Sequence, residues 1–228
     1  MRDSHPDRFA QDPGRGAPAD VGEKDTGRVE AFSDGVFAIA ITLLVLELNV
    51  PESDFENLWQ GIAHQWPSYL AYATSFLTIG GIWMAHHAMF RRLRFANQRV
   101  MVINLLLLMA VAFLPFPTKL MAETIHTSGP DRPAAIFYGA SLLVTSLLIS
   151  ALWGSVALDR SLLKAEVSET EFNAILRATA PSIGLYVFMI LLAIFVPRAA
   201  PFGYLVIAAI SVLRARGDTV LASAADST

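Results

Sequence analysis

Three ionisable residues, Arg28, Glu30 and Asp34, stand within about two helical turns, just before an apolar run that starts at Val36. Ser33 adds a hydroxyl beside them. The pair His86–His87 closes a later apolar run, and Asn104 stands inside another. An unpaired ionisable group at membrane depth costs several kcal/mol, so each must find a partner or face water. Arg28 and Asp34 are six apart and point to different sides of one helix. A network with other helices therefore suits them better than a pair with each other. The plainer alternative makes Asp34 a first-turn acid at a helix N-terminus and Arg28 a membrane-surface anchor. The histidine pair suggests a metal box, but His5, His64 and His126 lie in the tail or in segments on the other side. A hydrogen-bonded structural role is the expectation, with no metal and no cofactor. The chain has no cysteine, which excludes disulfides and thiol chemistry. No Ser-His-Asp, P-loop or dinucleotide pattern occurs, so the protein is not read as an enzyme. Arg91, Arg92, Arg94 and Arg99 fall between apolar runs rather than at every third position within one. They form an inner loop facing solvent and anionic lipid, not a voltage sensor. Glu47, near the far end of the first run, is either a structural acceptor or an ion-attracting ring. Glu166, Glu169 and Glu171 belong to an exposed loop or helix start.

The elements that must position these residues are apolar. Of 228 residues, 54% are hydrophobic and only 16% charged, against about 25% charged in ordinary soluble domains. This is the balance of an integral membrane protein in contact with the lipid bilayer. No basic patch interleaved with aromatics points to nucleic acid. Residues 1–27, rich in Asp, Pro, Gly and Arg, are read as a mobile tail. A charged tail before the first run, with no small-residue cleavage site after it, gives no reason to expect a signal peptide. A spanning helix needs about 20 mostly apolar residues. Six segments qualify, roughly 31–50, 66–89, 100–121, 134–157, 174–196 and 200–214, the last short and polar-ended. Pro115 and Pro117 should kink or end the third. The linkers 51–65, 90–99, 122–133, 158–173 and 197–199 are too short for a second domain. The expected organisation is a tail 1–27, a six-helix membrane domain 28–216 and a tail 217–228. With the N-terminus inside, all but Lys119, Arg132 and Arg198 of the basic residues fall on the inner side. The positive-inside rule therefore puts both termini in the cytoplasm. Glu52, Asp54 and Glu56 in loop 51–65 would concentrate cations on the outer side.

On the first helix Arg28, Phe32, Gly35, Ile39, Thr42, Leu46 and Asn49 share one face, with Val36, Leu43 and Val50 at its border. "RVEAFSD", with the spacing R-x-x-x-F-S-D, followed by "GVFAIAITLLVLEL", resembles the signature of the transmembrane protein 175 family, endosomal and lysosomal potassium channels and their bacterial relatives. "GIWMAHHAMF" (81–90) and "NLLLLMAVAFLPFPT" (104–118) resemble the end of that family's second helix and its third. The strong resemblance covers about residues 28–120, and the last three spans agree in number and placement. It implies an all-α subunit of six transmembrane helices, four of which surround a central pore as a homotetramer in the bacterial plasma membrane. It also implies K⁺ as a passively conducted ion. By position, the first helix would line the pore with Ile39, Leu43 and Leu46 as apolar rings and Thr42 as a polar one. Arg28, Phe32, Ser33 and Asp34 match the signature that holds this helix through a buried polar network. His86, His87 and Asn104 are the candidate partners. A proton- or ion-coupled secondary transporter is the alternative, weakened because the first helix has no Pro and its Gly35 lies near one end.

Overall fold

The computed structural model describes residues 19–126 and 131–225. His5, Arg2, Arg8 and Arg15 lie outside the described residues, as do the side chains of Lys24, Asp54, His126, Arg177, Arg198, Arg214 and Arg216. The main elements of the described chain are α-helices: α1 (Ala19–Leu43), α2 (Leu58–His64), α3 (Trp66–Phe90), α4 (Gln98–Phe113), α5 (Pro115–His126), α6 (Asp131–Leu158), α7 (Glu169–Phe195) and α8 (Ala200–Ala225). Short 3₁₀ helices follow α1 at Leu44–Glu47 and occupy Glu52–Asn57, Arg160–Leu162 and Pro197–Ala199. The one extended pairing among the described residues is an antiparallel bridge between Leu93 and Leu163.

Several boundaries differ from those read off the sequence. Helix α1 begins at Ala19, inside the segment assigned to the tail, and its α-helical part ends at Leu43 rather than residue 50. Helix α8 runs on to Ala225, past residue 216. Loop 51–65 is itself mostly helical. The third apolar segment is two helices. Pro115 and Pro117 carry no N–H for the ladder, and Leu114 N instead bonds Val111 O at 3.1 Å, a tightened turn. Across the break Thr118 Oγ1 donates to the Leu114 carbonyl at 2.7 Å. Other ends follow their side chains. Asn97 Oδ1 caps α4 by accepting from Val100 N, and Ser168 Oγ caps α7 by accepting from Glu171 N.

Among the described residues three stretches are long and apolar enough to cross a membrane: Thr26–Glu47, Gln98–Thr124 and Arg132–Leu158. Ile183–Phe195 and Ala200–Leu213 are shorter apolar helices. Helix α3 has 25 residues, but its Trp, Tyr, Ser, Thr and His side chains dilute its hydropathy. It is nonetheless the centre of the packing, touching α1, α5, α6 and α8. Polar α3 residues find partners there: Ser75 Oγ shares hydrogen bonds with Thr118 of α5 (2.7 Å) and Tyr138 of α6 (2.9 Å). Helices α6 and α8 approach closely at Gly139, where an added Cβ would collide with Tyr204 Oη. Tyr204 in turn donates to the Ala135 carbonyl.

Candidate functional site

Helix α1 presents two unlike faces. Ser33, Phe37, Ala40 and Leu44 are buried, none more than 1% exposed, and repeat at helical spacing. They pack against α3 and α4. The opposite stripe, Arg28, Phe32, Gly35, Ile39, Thr42, Leu46 and Asn49, is exposed at every position. Ile39 is 61% exposed, Leu43 41% and Leu46 71%. Only 22% of the apolar stretch of α1 is buried against the rest of the chain, against 44% for the stretch through α4 and α5. Of the three membrane-length stretches among the described residues, the one in α1 is thus the least covered by the rest of the chain.

At one end the buried face of α1 is tied down by polar contacts. Ser33 Oγ donates to the Val29 carbonyl at 2.8 Å, so it must accept from Asn104 Nδ2, 3.0 Å away. That fixes the orientation of the Asn104 amide. Its Oδ1 then accepts from His86 Nε2 at 2.8 Å. The donors thus run in one direction, from α3 through α4 to α1. Ser33, His86 and Asn104 are all within 1% of full burial. The His86 ring lies between Phe37 and Phe90, with centroids at 5.3 and 4.3 Å. Its Nδ1 has no hydrogen-bond partner among the described residues.

Two further contacts flank this chain. Trp83 Nε1 donates to Asp34 Oδ1 at 2.8 Å. His87 Nδ1 approaches Glu30 Oε1 at 2.9 Å, with its ring stacked on Trp83. Glu30, Ser33 and Asp34 form an i, i+3, i+4 set on α1, facing Trp83, His86 and His87 at the same spacing on α3. The histidines, being consecutive, point to different partners, Asn104 and Glu30. Among the described residues no group of three or more His, Asp or Glu is placed to hold a metal ion.

The structure therefore brings Ser33, Asp34, His86, His87 and Asn104 into one region. It does not bring Arg28 or Phe32 there. Both lie on the uncovered face, and Phe32 is 58% exposed. Trp83 and Glu30 were not picked out as partners from sequence. Their spacing relative to the histidines and Ser33 was the available signal, and it needed the packing of α1 on α3 to become meaningful. At the other end of α1, Glu47 meets Lys119 of α5 at 3.3 Å.

A further junction lies on the side of the anchored end. Arg92 Nε and Nη2 bind Glu171 Oε1 at 2.8 and 2.7 Å. Arg94 N donates to Leu162 O and Lys164 N to Arg92 O, joining segment 91–94 to segment 160–164. Arg92, read as part of a solvated loop, is thus paired with the first turn of α7.

An all-helical membrane protein with one face of its N-terminal apolar helix locked by polar side chains, and the other left open, is the class defined by this fold and site. The family model described as endosomal/lysosomal potassium channel TMEM175 matches residues 28–115. The chain belongs to this family. It is 42% identical over 168 residues to a potassium channel of Chamaesiphon minutus, covering 72% of this chain and 82% of that one. It is 46% identical over 130 residues to a potassium channel of Streptomyces collinus; there the match spans 57% of this chain and 63% of the relative. A Bos taurus relative described as an endosomal/lysosomal proton channel is 34% identical, with 29% of its length matched. The crystal structure of a lysosomal potassium-selective channel TMEM175 homologue from Chamaesiphon minutus superposes with a TM-score of 0.75 at 38% identity, covering 84% of this chain and 98% of that one.

Proposed function

We propose that this chain is the subunit of a passive, potassium-selective cation channel. Its first helix lines a central pore, with Ile39, Leu43 and Leu46 forming apolar rings and Thr42 a polar one. The observation that carries this reading is the uncovered stripe on α1. A helix locked to its own subunit along one face has the other available to an axis shared with further copies. The 3₁₀ turn at Leu44–Glu47 adds to it. With three residues per turn, positions three apart eclipse, which brings Leu43 and Leu46 toward alignment along such an axis.

The subunit is read as six spans, assembled as a homotetramer in the bacterial plasma membrane with both termini cytoplasmic. The domain spans 28–216, between tails 1–27 and 217–228. The contacts of α1, antiparallel to α3 and parallel to α4 and α5, support the threading. Asp34 meets the later part of α3 and Ser33 meets α4, while Glu47 meets α5. The family membership and the relatives' names support K⁺ as the permeant ion.

An apolar ring blocks ions by dewetting when narrow, and passes a partly dehydrated cation when slightly wider. K⁺ holds its water less tightly than Na⁺, which favours it at such a ring. The Thr42 hydroxyl donates to the Ile39 carbonyl at 2.9 Å. Its proton is thereby committed, and its lone pairs are left to face a cation. No cofactor is needed. Arg28, Phe32, Ser33, Asp34, His86, His87 and Asn104 hold or flank the anchored end of α1.

The test is flux from liposomes holding the purified protein, with K⁺, Na⁺ and H⁺ gradients compared. K⁺ flux above Na⁺ flux, with the ratio reduced in Ile39→Asn, supports the reading. An unchanged ratio removes Ile39 from the constriction. Proton flux without K⁺ flux replaces K⁺ as the permeant ion. Substrate-coupled exchange points to the secondary transporter instead.

A further inference from the structure

Glu47 is the last residue of the 3₁₀ turn that follows α1, directly after the exposed Leu46. Lys119 reaches it from α5, with Nζ 3.3 Å from Oε2. The carboxylate is the more enclosed partner, with its side chain 23% exposed against 51% for the lysine. Two open cavities border the pair. One, of about 970 Å³, is lined also by Leu46, Asn49, His64 and Glu123. The other, of about 540 Å³, is lined also by Leu43, Leu46, Phe113 and Phe116. The pair thus lies against the residues read as the last apolar ring, with Glu47 Oε2 itself buried and the lysine reaching it from the water-accessible side.

We propose that Glu47 and Lys119 form a charge selector at this mouth of the pore, in which Lys119 masks the Glu47 carboxylate and so sets how strongly cations gather there. This rests on the reading of α1 as the pore helix. An unmasked carboxylate raises the local concentration of a monovalent cation about fivefold at contact distance in water. The same charge would hold a divalent cation more tightly and let it obstruct the mouth. A carboxylate and an ammonium at 3.3 Å largely cancel both effects while keeping the two groups ready to separate. His64 and Glu123 share the cavity wall, so the selector works within a field to which they also contribute.

A merely structural tether between α1 and α5 makes a different prediction. Removing either partner would then break the same contact, and both variants would change conduction in the same direction at every ionic strength. The selector requires opposite signs. The experiment is K⁺ conductance of the full chain in planar bilayers, measured from about 0.01 M to about 1 M KCl, where the screening length falls from about 30 to about 3 Å. Lys119→Met is expected to raise conductance about threefold or more at the low-salt end and to add block by Ca²⁺. Glu47→Gln is expected to lower it at low salt. Both are expected to converge on wild type at the high-salt end. Lys119→Gln serves in place of Lys119→Met if the latter elutes as aggregate. Same-sign changes, or changes that persist undiminished at high salt, overturn the selector. If the wild type conducts and both variants follow its salt curve, the selector alone fails. If the wild type carries no K⁺ current, the channel reading fails and takes the selector with it.

Discussion

The two ends of α1 are anchored by opposite means. At the Ser33 end the contacts are buried, and their shared chain is built from a hydroxyl, an amide and an imidazole in donor-to-acceptor order. At the Glu47 end an ion pair joins a half-exposed lysine to a carboxylate whose Oε2 is buried. Burial makes the first anchor costly to break, because each orphaned polar group loses both its partner and access to water. Partial exposure makes the second cheaper to break, because water and salt reach the lysine and replace part of what is lost. The helix is thus fixed firmly at one end and adjustably at the other. That is a useful arrangement for a helix whose free face is read as the ion path.

The largest effect is expected from Asn104→Leu, which leaves buried His86 without a hydrogen-bond partner and takes from Ser33 Oγ the donor it accepts from, leaving it only its bond to the Val29 carbonyl. It should cost about 2–4 kcal/mol, read as a lower midpoint in thermal denaturation of the detergent-solubilised protein, with loss of K⁺ flux. A variant as stable as wild type would show that the buried chain is not the firm anchor. Trp83→Phe keeps the ring stacked near His87 but removes the donor to Asp34. The site is partly exposed, so a loss of about 1 kcal/mol is expected; a loss as large as that of Asn104→Leu would move the main anchor to Asp34. Glu47→Gln should change stability least, by less than about 1 kcal/mol. Its stability difference should shrink further as salt is raised. A salt-independent loss of several kcal/mol would mean the second end is buried in the assembled protein, and the contrast between the ends would fail.

How much of this was legible in the sequence differs between the two faces of α1. The exposed stripe was readable because a 3.6-residue period maps positions onto a face without knowledge of neighbours. Every residue assigned to it is exposed. The partners on the buried face were less readable. His86, His87 and Asn104 stood out as polar residues in apolar runs, whereas Glu30 stood out only as a charge with no partner assigned and Trp83 as one aromatic among several. Helix ends were harder still. Whether α1 stops at residue 50 or passes to a 3₁₀ turn at Leu44 depends on how the chain turns toward α2, to which the hydropathy of "LLVLELNV" is blind.

By itself the sequence determined the helical class, the apolar segments, the proline break and the two faces of α1. Those depend on composition and on repeats only a few residues long. Tertiary structure decided which polar groups meet. Ser33 and Asn104 are 71 positions apart, and Trp83 and Asp34 are 49. No local period links such residues. Packing alone sets α3 and α4 beside α1, and burial then requires each enclosed donor and acceptor to find a partner.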